Sequence, residues 1–185
     1  MGEQHKKHNR REHLNDFHLN VAGEYVYDGA LYACQNDDAK QRRSKRAVWG
    51  MAAILTVAVA AGGCIPAPGM QNCFYVLLPY LGEFLGTASV IWALAKLGMD
   101  WGTVREYNYK KSVAVLPMRT AVTAVFSGLG IVCELIFFFV NDHAGQTFFA
   151  LLYILLKLIA LLSVLVLRAE IMQAEWDKLP KKNNF

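Results

Sequence analysis

"TFFALLYILLKLIALLSVLVL", residues 147–167, carries one charge, Lys157, in an otherwise apolar run. As a helix it spans about 31 Å at ~1.5 Å per residue, which matches a hydrocarbon core of about 30 Å. The run is continuous rather than alternating, so it does not read as a barrel strand. Its length and uniformity predict a transmembrane helix.

Three more runs of the same kind precede it, at 47–65, 74–99 and 118–140. The chain has 185 residues, 55% of them hydrophobic, and a mean hydropathy of +0.24. That is high for a soluble domain and low for a chain that is all membrane, so polar ends flank an apolar body. Four such runs leave too little polar surface to cover them in water. The expected fold is all-α: an antiparallel four-helix membrane bundle over 47–168, with a polar region at 1–46 and a tail at 169–185. The first run follows 46 mostly polar residues and reads as an uncleaved anchor.

Orientation follows from Lys and Arg in the short loops. Lys40, Arg42, Arg43, Lys45 and Arg46 precede the first run; the 64–73 loop has none. Arg105, Lys110 and Lys111 lie in the second loop, the 141–146 loop has none, and Arg168, Lys178, Lys181 and Lys182 lie in the tail. The alternation places both termini in the cytoplasm of a multi-pass plasma-membrane protein. Lys40, Arg42, Arg43, Lys45, Arg46, Lys110 and Lys111 would then meet the anionic inner leaflet, each contributing ~1 kcal/mol. A basic flank beside a span is explained by orientation, so nucleic acid is not an expected partner.

His5, His8, His13 and His18 lie in a basic N-terminal stretch whose spacings match no metal pattern. In "GEYVYDGALYAC", residues 23–34, Asp28-Gly29 separates two runs rich in Tyr, Val and Leu, which predicts a β-hairpin over 24–34. A lone hairpin is marginal in water, so it needs a partner protein, the membrane interface or the second loop to pack on. That loop, with Trp101, Tyr107 and Tyr109, reads as interfacial. Asn36, Asp37 and Asp38 can cap a helix that enters the first span unbroken. The tail is expected to prolong the fourth helix and stop near Pro180.

Three ionisable residues lie deep in the spans. Counted from the ends nearest the 64–73 and 141–146 loops, Glu134 is about 9 Å in, Glu83 about 13 Å and Lys157 about 16 Å. Each would cost ~2.5–3.5 kcal/mol if exposed to lipid at mid-depth, so a shared interior is expected. At ~100° per residue, Glu134 shares its face with Gly130, Ser127, Thr123 and Thr120, and Lys157 with Tyr153, Ala150 and Gln146. Glu83 is joined by Pro79, Gly86 and Thr87, with Gly82 at the flank. Trp49, Ala52, Ala53, Thr56, Ala60 and Gly63 form a similar small-residue face on the first span. Glu83 is expected to pair with Lys157, with Glu134 sharing. This layer, with Ser127, Thr123 and Tyr153, is either a structural clamp or a proton, ion or ligand site.

"CIPAPGMQNC", residues 64–73, could close a Cys64–Cys73 disulfide on the oxidising side. Cys34 and Cys133 are expected to be free. Asp142 and His143 read as a polar turn. No nucleophile–base pair, metal set or phosphate loop is present, so neither enzymatic activity nor a cofactor is expected. The sequence points to a membrane subunit, sensor or scaffold working as a homo-oligomer or with a partner protein. A small oligomeric channel or transporter built on the Glu83, Glu134 and Lys157 layer is the alternative.

Overall fold

The computed structural model describes residues 17–19, 25–27, 29–98, 101–141 and 147–179, with the side chains of 17–19 and 25–27 left out. His5, His8, His13, Asp28, Asp142, His143, Gln146, Pro180, Lys181 and Lys182 lie outside the described residues. In order, the elements are β1 (Phe17–Leu19), β2 (Tyr25–Tyr27), β3 (Leu31–Cys34), α1 (Asp38–Cys64), α2 (Pro68–Asn72) and α3 (Phe74–Leu97). They continue with β4 (Thr103–Arg105), α4 (Glu106–Lys111), α5 (Leu116–Val140), α6 (Thr147–Met172) and β5 (Trp176–Lys178).

Helices α1, α3, α5 and α6 are long and apolar enough to cross a membrane. α1 starts directly after Asp37, whose carbonyl accepts the Gln41 N–H at 2.8 Å, and runs without a break from its charged first turns into the apolar run. α3 ends at Leu97, two residues short of the expected limit, because Gly98 takes φ +70°, a conformation that glycine adopts freely. Pro117 lies in the first turn of α5, where its missing N–H costs nothing.

Extensive contacts join α1 to α6, α6 to α5 and α5 to α3, with a lighter seam between α1 and α3. The bundle is therefore a ring in the order α1, α6, α5, α3, with α3 and α6 on one diagonal. Its core falls into three apolar groups. One, around Val48, Val90, Leu94, Leu116 and Leu167, fills the end that carries the strands. Leu55, Val59, Ala160 and Val164 fill the middle. Ala67, Val76, Phe137 and Tyr153 fill the opposite end, near the 64–73 loop. Large apolar residues such as Leu85, Trp92, Val125, Phe139 and Leu162 are exposed on the outside of the bundle.

Two expectations are corrected at the strand end. The predicted 24–34 hairpin does not form, although its two runs are strands. β2 pairs antiparallel with β1, Phe17 opposite Tyr27. β3 is the centre of a separate antiparallel sheet ordered β4-β3-β5, with Tyr32 opposite both Val104 and Lys178. The second loop and the tail thus hold β3 on both edges; the fourth long helix is extended briefly as expected, to Met172, but the tail then turns to strand instead of stopping near Pro180. The distant pairing wins because it buries aromatic surface that a two-stranded hairpin cannot. Tyr32 stacks on Tyr109 at 4.1 Å between centroids and 2° between planes, and Trp176 lies 6.1 Å from Tyr109 and 6.3 Å from the buried Trp101.

The small-residue face of α1 is the third correction. Ala52 is buried, but Ala53, Thr56 and Ala60 are exposed, and the packed line is Val48, Ala52, Leu55, Val59 and Gly62. Thr56 donates its hydroxyl to the Ala52 carbonyl at 2.8 Å, so it faces outward with its polar group satisfied.

Candidate functional site

Helical spacing brings Pro79, Glu83 and Thr87 of α3, the Thr120–Thr123–Ser127–Gly130–Glu134 stripe of α5, and Ala150, Tyr153 and Lys157 of α6 into the bundle interior, all buried. Close approach of α3 and α5 depends on two glycines. A Cβ at Gly82 would overlap the Phe126 ring, and one at Gly86 would lie 2.6 Å from the Thr123 hydroxyl.

At the centre, the Lys157 ammonium is bonded to Glu83 Oε2. The two side chains are 3% and 0% exposed, so the pair is fully withdrawn from solvent. Lys157 Nζ also lies 4.7 Å from the Tyr80 ring centroid and 5.2 Å from that of Tyr153. The cation is thus held by one carboxylate and two aromatic faces. The lysine stem lies against Gly130, where a Cβ would be in ordinary contact at 3.6 Å from Nζ. Ser127 donates to the Lys157 carbonyl at 3.4 Å. Thr120 and Thr123 donate to carbonyls of their own helix, Leu116 and Arg119, both at 2.9 Å. Those two hydroxyls are therefore committed to the backbone and not to the pair.

Glu134 is fully buried nearer the loop end. There the 64–73 loop folds inward as α2, burying Ala67, Pro68 and Gly69. Gly69 lies so close to Glu134 that a Cβ would overlap its carboxylate. Glu83 Oε1, Thr87 Oγ1 and the Tyr153 hydroxyl are buried with no hydrogen-bond partner among the described residues. A buried polar atom without a partner is costly, so these three mark the bundle interior chemically.

The Cys64–Cys73 disulfide is not formed: both thiols are free, as are Cys34 and Cys133. The reason is the inward fold of the loop. Cys73 joins α2 to α3, its N–H bonded to Gly69 O at 2.9 Å and its side chain half-buried against the Phe137 and Tyr153 group. Cys64, at the end of α1, is exposed.

Of the basic residues, Lys40, Arg42, Arg43, Arg46, Lys110 and Lys111 are exposed and Lys45 half-buried. Arg42, Arg43 and Arg46 line an open groove with Asp38 and Ala39. Lys110 is paired with Glu106 at 2.6 Å, and Lys111 donates to the Tyr107 hydroxyl at 2.7 Å. Beside them, Ser44 of α1 donates to Glu170 of α6 at 2.9 Å.

Sequence reasoning did not single out Tyr80 or Gly69. Tyr80 precedes Glu83 by three residues and so shares its side of α3, a signal that was available. Gly69 gave none, because its role depends on how the loop folds. Comparison with protein-family models, curated proteins and solved structures gives no match.

Proposed function

We propose that this chain is a non-enzymatic multi-pass membrane subunit or scaffold. Both termini and the three-stranded sheet would be cytoplasmic, in a plasma membrane whose anionic inner leaflet meets Arg42, Arg43, Arg46, Lys40 and Lys45. It would act by assembling with copies of itself or with a partner protein.

One observation carries this reading. The Lys157–Glu83 bond crosses the diagonal of a bundle whose interior holds three closely packed apolar groups along its length. Such a bundle supports a solid post better than a conduit. The alternative, a small oligomeric channel or transporter, is favoured by the partnerless Glu83 Oε1, Thr87 Oγ1 and Tyr153 hydroxyl.

Native mass spectrometry of the full chain, extracted from its own membrane into lipid nanodiscs, tests the proposal. The expected mass is that of several copies, or of the chain with a second protein. A strict monomer overturns it. Ion flux through reconstituted vesicles that is abolished by Glu83→Ala with Lys157→Leu transfers the conclusion to the channel reading.

A further inference from the structure

A cavity of about 280 Å³ lies between the strand-side ends of α1 and α6, lined by Asn36, Lys40, Arg43, Ser44, Glu170 and Gln173. The buried Ser44 donates to Glu170 Oε2 at 2.9 Å, which joins the two helices, fixes the carboxylate and leaves its Oε1 to a ligand. Lys40 and Arg43 form no ion pair with the described residues. Arg43 also borders the neighbouring groove of Arg42 and Arg46. Two cations and one carboxylate leave the cavity with one positive charge in excess.

Depth selects the occupant. Ser44 stands three residues before the apolar run that begins at 47, and Glu170 three residues after the one that ends at 167. With α1 and α6 across a membrane, each is ~4.5 Å outside the hydrocarbon at ~1.5 Å per residue. Arg43 is ~6 Å out, and Lys40 ~10 Å out with a stem that reaches back. A headgroup layer is about 5–8 Å deep on each side. The cavity is then level with lipid phosphates, a step that rests on the membrane placement proposed above. A guanidinium and an ammonium suit a phosphate, Arg43 through two parallel N–H bonds. A carboxylate and two side-chain amides suit hydroxyls, for which they are acceptors. An amine headgroup would satisfy Glu170 but, being neutral overall with its phosphate, would leave the excess positive charge standing.

We propose that this cavity binds one phospholipid whose headgroup is a monoanionic phosphodiester bearing hydroxyls, phosphoglycerol being the simplest. Its phosphate sits on Arg43 and Lys40, and its hydroxyls donate to Glu170 and to the Asn36 and Gln173 amides. The lipid bridges α1 and α6, the two helices that Ser44 and Glu170 already join.

Native mass spectrometry of the full chain, stripped of lipid in detergent and titrated with lipids of identical acyl chains, tests this. Phosphatidylglycerol should bind once per chain, at about a tenth of the concentration needed for phosphatidylmethanol or phosphatidylethanolamine. Phosphatidylmethanol has the same charge and no headgroup hydroxyl. Arg43→Ala should weaken phosphatidylglycerol about tenfold. Glu170→Gln, which can still accept from Ser44, should erase most of the preference for phosphatidylglycerol over phosphatidylmethanol. Charge attraction alone would instead tighten both and leave their ratio as it was. No preference for phosphatidylglycerol in the parent chain, no loss in Arg43→Ala, or an unchanged ratio in Glu170→Gln overturns the site. Displacement by micromolar free glycerophosphoglycerol gives the cavity to a soluble phosphodiester and overturns the lipid. A chain that stays soluble without detergent fails the membrane placement and this proposal together, whereas the number of copies in the same spectra bears on the scaffold reading alone.

Discussion

Lys157 on α6 meets Glu83 on α3 across the diagonal of the bundle, between helices that otherwise scarcely touch. The bond therefore ties together the two α1–α6 and α3–α5 sides of the ring through its centre. Removing one partner leaves a charge in an apolar interior. Glu83→Ala should destabilise the bundle by about 3 kcal/mol or more, and Glu83→Ala with Lys157→Leu should recover most of the loss. Unfolding in mixed micelles reads both. A double variant no more stable than the single one would remove the clamp from this account.

The seam between α3 and α5 should be intolerant of added volume. Gly86→Val places methyls against Thr123 and should cost about 1–3 kcal/mol. Gly50→Ala, at an exposed helical position with no atom within 4 Å, should instead stabilise by about 0.5–1 kcal/mol. Opposite signs in the same unfolding assay are the result required; equal effects would mean that the helices do not approach closely at Gly86.

Substitution in the middle strand should unzip both its neighbours. Ala33→Pro, opposite Thr103 and Asp177, breaks ladder bonds that only β3 supplies. Amide exchange should rise together in 31–34, 103–105 and 176–178 while the long helices keep their protection. Unchanged exchange in 176–178 would show that the tail is held by something else.

Orientation can be read with single cysteines introduced at Arg105 and Gln71 in a chain whose own cysteines are replaced. An impermeant maleimide outside intact cells should label position 71 and not position 105. The reverse pattern would put the sheet outside.

Free thiols make a simple chemical prediction. Alkylation of the unreduced protein should modify the exposed Cys64, and no Cys64–Cys73 peptide pair should appear in a digest. A bridged pair would mean that α2 unfolds to let the thiols meet.

The interior layer was legible in the sequence because helical geometry is strict. A charge in a span must face inward, and 100° per residue then names its companions, as with Thr120, Thr123, Ser127 and Gly130 beside Glu134. The α1 face was misread for a related reason. Ala53, Thr56 and Ala60 are small enough to pack against a helix, but lipid accepts them equally well, so size alone did not choose the side. The strand end was the least legible. Asp28-Gly29 is a strong local turn signal, and the local signal was overruled by partners some 70 and 145 residues further along. Strands of three or four residues carry too little pattern to announce such pairings.

That sheet also sets an order of events during synthesis. β3 leaves the ribosome before any span, yet one of its edges is satisfied only by β4, after two spans, and the other only by β5, after all four. Its backbone bonds to Thr103–Arg105 can form once two long helices have been made, and those to Trp176–Lys178 only after the last. If the four long helices cross a membrane as proposed, a chain that stalls or inserts a helix the wrong way round would leave an open strand edge at Leu31 and Tyr32, the kind of edge that chaperones and proteases bind. On that proposal the closed sheet would be a receipt for finished insertion, legible to the cell from one side of the membrane.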